Sequence, residues 1–307
     1  MAARFRGGDG PVKERDVTSA PGGGRRIVTG GGWSGAHGGR VTRTLVHLSD
    51  LHVGRDPADA ATLGQLVAAL VAARVDHVVV TGDVTHRGRL DELATFHRLV
   101  APLEDRLTVV PGNHDRLGED AGGLLMRDRV AIARADGLFL VRLDSTAPHN
   151  RRLLDAHGEL TPSDLVEADA ALSEAPPGAL AVVLLHHHLL PLPGDDVWER
   201  LAHAIGLPWV GELGRGRALL SRLLGRCDLV LHGHRHAAGA LELAAGDRPL
   251  RVVNAGSSTG LGRVRLLAHR GGRITGEGWL EAGAGAALGP ILPTARPRAA
   301  ARLTAAA

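Results

Sequence analysis

His77-Val78-Val79-Val80-Thr81-Gly82-Asp83 is the stretch that decides the fold. Its centre is an unbroken β-branched run with no polar alternation, the pattern of a strand covered on both faces inside a layered α/β fold. The run stops at a glycine followed by an acid. The same figure recurs along the chain. Residues 44–48 end at Ser49-Asp50-Leu51-His52, and Leu107–Val110 ends at Pro111-Gly112-Asn113-His114-Asp115. Residues 179–185 end at His186-His187-His188, and residues 228–231 end at His232-Gly233-His234-Arg235-His236. Ligands of open α/β sheets bind beyond the carboxyl ends of the strands, so five separate segments are expected to converge on one rim.

Between the strands lie stretches of helical length and period: residues 58–73, 89–100, 122–135, 162–173 and 215–224. The start at Pro162 is the best marked, with Thr161 as N-cap and Asp164 in the first turn. A strand at 138–143 and a late hairpin, 264–268 with 273–280 turning at Gly271-Gly272, complete the pattern. The expected class is α/β in the α+β layered sense. No repeat or internal linker interrupts residues 41–281, which read as one domain.

The ends differ in kind. Residues 1–40 hold two Gly-Gly-Gly runs and scattered charge, and residues 282–307 are rich in Ala, Gly, Pro and Arg. Neither composition buries enough apolar surface to offset the entropy of ordering, so both tails are expected to be disordered. The isoelectric point of 10.1 invites a nucleic-acid reading, but the positive charge sits in these tails. Residues 1–43 carry a net +5 and residues 282–307 a net +3, leaving −5 between them from a total of +3. Solvated ends explain that distribution, and nucleic acid is not expected as the partner. With 44% hydrophobic residues but only 2% aromatics and no Tyr, the core must be packed from Leu, Val and Ala.

Cys227 is the single cysteine of the 307 residues, which excludes an internal disulfide and a thiolate metal cluster. It reads as an inert, small apolar residue. No apolar window has the length of a signal peptide core or a membrane span, and a cytoplasmic location is expected.

The strand-end clusters offer oxygen and imidazole donors: Asp50, His52, Asp83, Asn113, His186, His234 and His236. Such a mixed set suits Mn, Fe or Zn better than calcium. In each of Asp50-x-His52 and His234-x-His236, alternation puts both side chains on one side of an extended segment. Seven donors are too many for one transition metal with an open position and suit two ions sharing a carboxylate. Asp83 is the best candidate for the bridge, because Gly82 before it lets the backbone come close.

The blocks Asp50-Leu51-His52, Gly82-Asp83, Gly112-Asn113-His114-Asp115, His186 and Gly233-His234-Arg235-His236 resemble, in order, the calcineurin-like metallophosphoesterase superfamily. The resemblance covers about residues 43–256. Within it, Leu143-Asp144-Ser145, His157-Gly158-Glu159-Leu160 and Leu185-His186-His187-His188 look most like the bacterial class III cyclic-nucleotide phosphodiesterases. The resemblance implies a two-sheet β sandwich flanked by helices. It also implies a first metal held by Asp50, His52, Asp83 and His236, and a second held by Asp83, Asn113, His186 and His234. His114 becomes the histidine that faces the phosphate and the leaving group.

The implied chemistry is hydrolysis of a phosphodiester or phosphomonoester, with a small phosphorylated molecule such as a nucleotide as substrate. Phosphate esters repel hydroxide, and two cations about 3.5–4 Å apart clamp the phosphate oxygens and bring the pKa of a water between them towards neutrality. A proton or hydrogen bond from His114 to the departing oxygen suits an imidazole near neutral pH. A metal-binding scaffold without catalysis, and a nuclease recruited by the basic tails, are the alternatives from other classes.

Two departures from the family pattern stand out. Leu189 occupies a position where the cyclic-nucleotide enzymes usually show Pro, so His187 is the fallback for His186. His86 stands where protein phosphatases place an Asp that supports the catalytic histidine, which argues against a protein phosphatase. Arg87 reads as an exposed loop residue, and Asp115 either orients His114 or closes its turn. His47, His77, His86, His97, His149, His157, His203 and His269 read as packing or surface residues. His188 and His232 read as packing beside the ligands, and Trp198 and Trp209 as buried rather than as a substrate cap.

Overall fold

The computed structural model describes residues 41–152, 155–190 and 213–283. In chain order they form β1 (Arg43–Leu48), α1 (Pro57–Ala72), β2 (His77–Thr81), α2 (Leu90–Val100), β3 (Leu107–Val110), α3 (Gly122–Leu125), β4 (Val130–Ala135), β5 (Leu138–Leu143), β6 (Gly158–Glu159) and α4 (Pro162–Ser173). They continue with β7 (Leu180–Leu184), β8 (Leu213–Gly214), α5 (Gly216–Leu223), β9 (Leu229–His232), β10 (Gly239–Leu243), β11 (Leu250–Asn254), α6 (Ser258–Leu261), β12 (Arg263–Arg270) and β13 (Arg273–Glu281). The expected disorder of residues 1–40, and of nearly all of 282–307, falls outside the described residues, as do His203, Trp198 and Trp209.

Two sheets stack face to face. One has the order β13-β12-β1-β2-β3, the other β10-β11-β9-β7-β5-β4, and β6 with β8 make a small separate pair. In the first sheet β1, β2 and β3 are parallel, with β12 antiparallel to β1. In the second, β5, β7, β9 and β11 are parallel, and β4 and β10 are antiparallel edges.

The apolar runs follow from this layering. Leu45, Val79, Leu180, Val182, Leu184, Leu229 and Leu231 point between the sheets and form one buried cluster. Their alternating neighbours point outwards. Val46, Leu48, Val78 and Val80 meet Leu63, Leu66 and Leu70 of α1 and Phe96 of α2, while Val183 and Leu185 meet Leu165 of α4 and Leu219 of α5. Because both faces are covered, the central strands carry no polar alternation.

Most elements match the sequence reading to within two residues. The start of α4 does so in detail: Thr161 Oγ1 accepts from Asp164 N at 3.2 Å, and Asp164 Oδ2 accepts from Thr161 N at 2.8 Å. The late hairpin turns at Gly271 (φ 56°) and Gly272 (φ 74°), the doubly left-handed turn that suits a two-residue loop. The expected helix over 122–135 is wrong. Only residues 122–125 are helical, and residues 130–135 are an edge strand. Val130 and Ile132 pair with Leu143 and Val141 across a turn at Asp136-Gly137, so an available partner strand overrode local helical period. Strands β10 and β11 also lay outside the sequence reading.

Candidate metal centre

The loops that follow β1, β2 and β3 in one sheet and β7 and β9 in the other meet at a single rim. They are held in unusual backbone shapes. Eight non-glycine residues among those described have positive φ, and five are Asp50 (53°), His52 (47°), Asp83 (49°), His234 (74°) and His236 (52°). Such conformations cost of order 1–3 kcal/mol each and persist only where the surroundings enforce them. Here the surroundings are specific: Ser257 Oγ donates to Asp50 O (2.9 Å), Thr259 Oγ1 to Leu51 O (3.0 Å), and Asn254 Nδ2 to Gly233 O (3.0 Å). The loops after β1 and β2 also bond each other, His52 N to Asp83 O and Val53 N to Val84 O, both at 2.9 Å.

All seven donor residues come together, in two groups. In the first, His52 Nε2 lies 3.0 Å from His236 Nε2 and 3.7 Å from Asp83 Oδ2, and His236 Nε2 lies 3.4 Å from Asp50 Oδ1. In the second, Asn113 Oδ1 is 3.1 Å from both His186 Nε2 and His234 Nδ1, which are 3.3 Å apart. His186 Nε2 is also 3.4 Å from Asp83 Oδ1. Asp83 therefore gives one carboxylate oxygen to each group.

The donor chemistry fits a pair of metal ions. Two ligand atoms at about 2.0–2.1 Å from one ion lie about 3.0–3.4 Å apart for octahedral to tetrahedral angles, and most of these separations fall there. Asn113 Oδ1 only accepts, and His186 Nδ1 donates to Thr81 O at 2.7 Å, which turns Nε2 inward as the nitrogen that would bind a cation in exchange for its proton. His187 is placed elsewhere. Its Nδ1 faces Ser145 Oγ at 2.8 Å and its Nε2 donates to Ala156 O at 3.0 Å, so His186 and not the fallback reaches the cluster.

Glycine is required at two points. A Cβ on Gly82, whose φ is 88°, would stand 2.5 Å from His186 Nδ1 and 2.7 Å from Gly112 N. One on Gly112 would collide with Asp83 Oδ1. Without side chains there, Asp83 and His186 approach from two sheets.

Electrostatics reinforce the grouping. Burial pushes the Asp83 carboxyl up, but His186 above all, then His52 and His114, pull it well below the ordinary carboxylate range. Burial opposes a proton on His186, yet Asp83 outweighs it and raises the imidazole to about 9. Burial lowers His52 to about 4 despite Asp83 and Asp50. It likewise keeps His234 neutral, while a hydrogen bond to Asp50 raises His236.

His114 sits at the edge of the first group, its N–H on Asp83 Oδ1 at 2.9 Å and its ring 4.7 Å from that of His52. Asp115 does not orient it. That buried carboxylate accepts from Gly112 N (2.8 Å), Thr85 N (2.8 Å) and Thr85 Oγ1 (2.7 Å), closing the loops after β2 and β3. The main-chain oxygen of His86 orients His114 instead, accepting from its Nδ1 at 2.8 Å.

His86, expected as a packing or surface residue, is partly buried and packs beside the site. A parallel bridge between Val53 and Thr85 brings the loop after β2 alongside the loop after β1, and the His86 ring stacks on His114 at 5.5 Å and 24°. No pattern along the chain signals such a bridge. Other expectations match. His47 and His77 are buried on Thr81 and Thr108, Arg87 is exposed, and burial raises the Cys227 thiol to about 12. Among the described residues no helix is long and apolar enough to cross a membrane.

Comparison with known proteins identifies the family. A probable cyclic nucleotide phosphodiesterase of Rhodococcus erythropolis is 30% identical over 220 residues, spanning 64% of this chain and 66% of the relative's length. A 3',5'-cyclic adenosine monophosphate phosphodiesterase of Pseudomonas aeruginosa is 29% identical over 264 residues, spanning 78% of this chain and 88% of its own. The crystal structure of a dimetal phosphatase from Danio rerio superposes with a TM-score of 0.52 at 14% identity, over 78% of this chain and 99% of that one, a likeness of fold. The family model described as Calcineurin-like phosphoesterase matches residues 43–238. The chain therefore belongs to the calcineurin-like phosphoesterase family, whose members are metal-dependent hydrolases of phosphate esters, and it has that family's two-sheet architecture.

Proposed function

We propose that residues 41–281 form a cytoplasmic dinuclear phosphodiesterase acting on small diesters, with 3',5'-cyclic nucleotides as the leading substrate class. The observation that carries this reading is the division of the Asp83 carboxylate, one oxygen towards His52 and the other towards His186. The first ion belongs to Asp50, His52, Asp83 and His236, and the second to Asp83, Asn113, His186 and His234. Oxygen and imidazole donors without sulfur support Mn, Fe or Zn. The names of the Rhodococcus and Pseudomonas relatives support the substrate class.

A bound metal pair supplies Lewis acidity towards the phosphoryl oxygens and acidifies water. The protein's own residues do the rest. The His186 ring is fixed before substrate arrives by the bond from its Nδ1 to Thr81 O, and burial keeps His234 neutral. His114, held through Nδ1 by His86 O, presents Nε2 to the open face. From there the doubly protonated ring is placed to hand its Nε2 proton to the departing ester oxygen. The single cysteine suits a reducing compartment.

The test is a panel of phosphomonoesters, linear diesters and cyclic nucleotides, assayed with Mn-, Fe- and Zn-loaded protein. Hydrolysis of cyclic nucleotides ahead of monoesters is expected. Preference for monoesters would move the substrate class, and no hydrolysis by any loaded form would end the reading.

A further inference from the structure

Beside the two metal groups, the rim carries a third convergence of donors, which shares His52 and His114 with the proposed mechanism and adds His86, a side chain that mechanism does not use. Ring nitrogens of His52, His86 and His114 lie within 4.8 Å of one another. The ring centres are 4.7 Å (His52 to His114), 5.5 Å (His86 to His114) and 5.8 Å (His52 to His86) apart. Three imidazoles sharing one zinc-like ion put their ring centres about 5 Å apart. The His114 Nδ1 proton is committed to His86 O, which leaves Nε2 as its lone pair. His86 Nδ1 is buried and meets no hydrogen-bond partner. His86 and His114 are partly exposed, whereas His52 is buried, so an ion from solvent meets these two rings first.

We propose that His86 and His114, with His52 as the third imidazole, form an auxiliary cation site that fills when transition metal exceeds the resident pair and then halts hydrolysis. The trio contains no carboxylate, unlike the groups built on Asp50 and Asp83, and is the weaker site for that reason. Around His86, burial and His114 oppose positive charge, Glu92 favours it, and Arg87 and Arg55 oppose it. Three neutral nitrogen donors select zinc, nickel or copper over manganese or magnesium. Inhibition has two sources. An ion at the trio occupies His114, and it draws on His52, which the first group also needs. The inhibitory consequence rests on the role proposed for His114, whereas the binding does not.

Truncating His86 spares its hydrogen bonds, which run through its main chain to Val53 O and from His114 Nδ1. Calorimetric titration of zinc into protein already carrying its resident ions tests the site directly. Wild-type protein is expected to show a further, weaker binding event, absent with manganese. Both His86→Ala and His86→Gln, checked for folding by thermal melting, are expected to weaken it by about tenfold or more and to shift inhibition by excess zinc in parallel. No additional event in the wild type, or an event kept within that factor in a folded variant, would overturn the site. Calorimetry decides this even for a protein that hydrolyses no ester, so the two readings fail separately.

Discussion

The main-chain oxygen of His86 accepts a 2.8 Å hydrogen bond from Nδ1 of His114. That bond fixes both the tautomer and the direction of the imidazole, leaving Nε2 towards the open side of the metal groups. His114→Ala is expected to lower kcat on a nitrophenyl diester by about 10²–10⁴. The His114 main-chain N–H on Asp83 survives the substitution, so metal content measured by atomic emission should stay unchanged. Wild-type turnover in this variant would remove His114 from the mechanism.

Asp83 lies on both groups, 3.7 Å from His52 Nε2 and 3.4 Å from His186 Nε2. Asp83→Ala is expected to lose metal and activity together, because it removes a donor from each ion and leaves the buried imidazoles without a counter-charge. A variant that keeps two ions per chain after dialysis would contradict the bridge.

Ser145 shapes the segment that carries His186. Its Oγ accepts from the main-chain N–H of both His186 and His187 at 3.2 Å and donates to His187 Nδ1 at 2.8 Å. Ser145→Ala leaves these buried groups unpaired, at a cost of about 1–3 kcal/mol in stability. Affinity at the second group should fall by roughly 10–100-fold, as for other groups that orient a metal-binding side chain. Chelator competition and urea denaturation read the two effects separately.

Stability should fall on mild acidification. Burial lowers both His77 and His269 to about 4, from an ordinary value of 6.5. Between those values the unfolded chain binds more protons than the folded one. The stability is therefore complete above about pH 6.5 and lost as pH drops towards 4, by up to about 3 kcal/mol for each group. Urea midpoints of metal-free protein at pH 7.5, 5.5 and 4.5 should decrease in that order, and His77→Gln should flatten the trend. A midpoint that does not move with pH would count against it.

Much of the fold was legible because apolar runs buried on both faces leave a mark no surface strand leaves. His77–Thr81, Leu107–Val110 and Leu138–Leu143 have the bounds read from sequence. Residues 130–135 were misread as helix, since the edge strand they form depends on a partner, β5, and not on their own period.

For the site, residue type and order singled out Asp50, His52, Asp83, Asn113, His186, His234 and His236, because donors at strand ends are expensive to bury and cluster where function needs them, and the family resemblance added His114. Only the tertiary structure decided that His186 rather than His187 faces Asn113, that Asp115 closes a turn, and that His86 stands over His114. Those outcomes depend on where two sheets and their loops meet, and side-chain direction at such a meeting is set by long-range backbone bonds that local sequence does not encode.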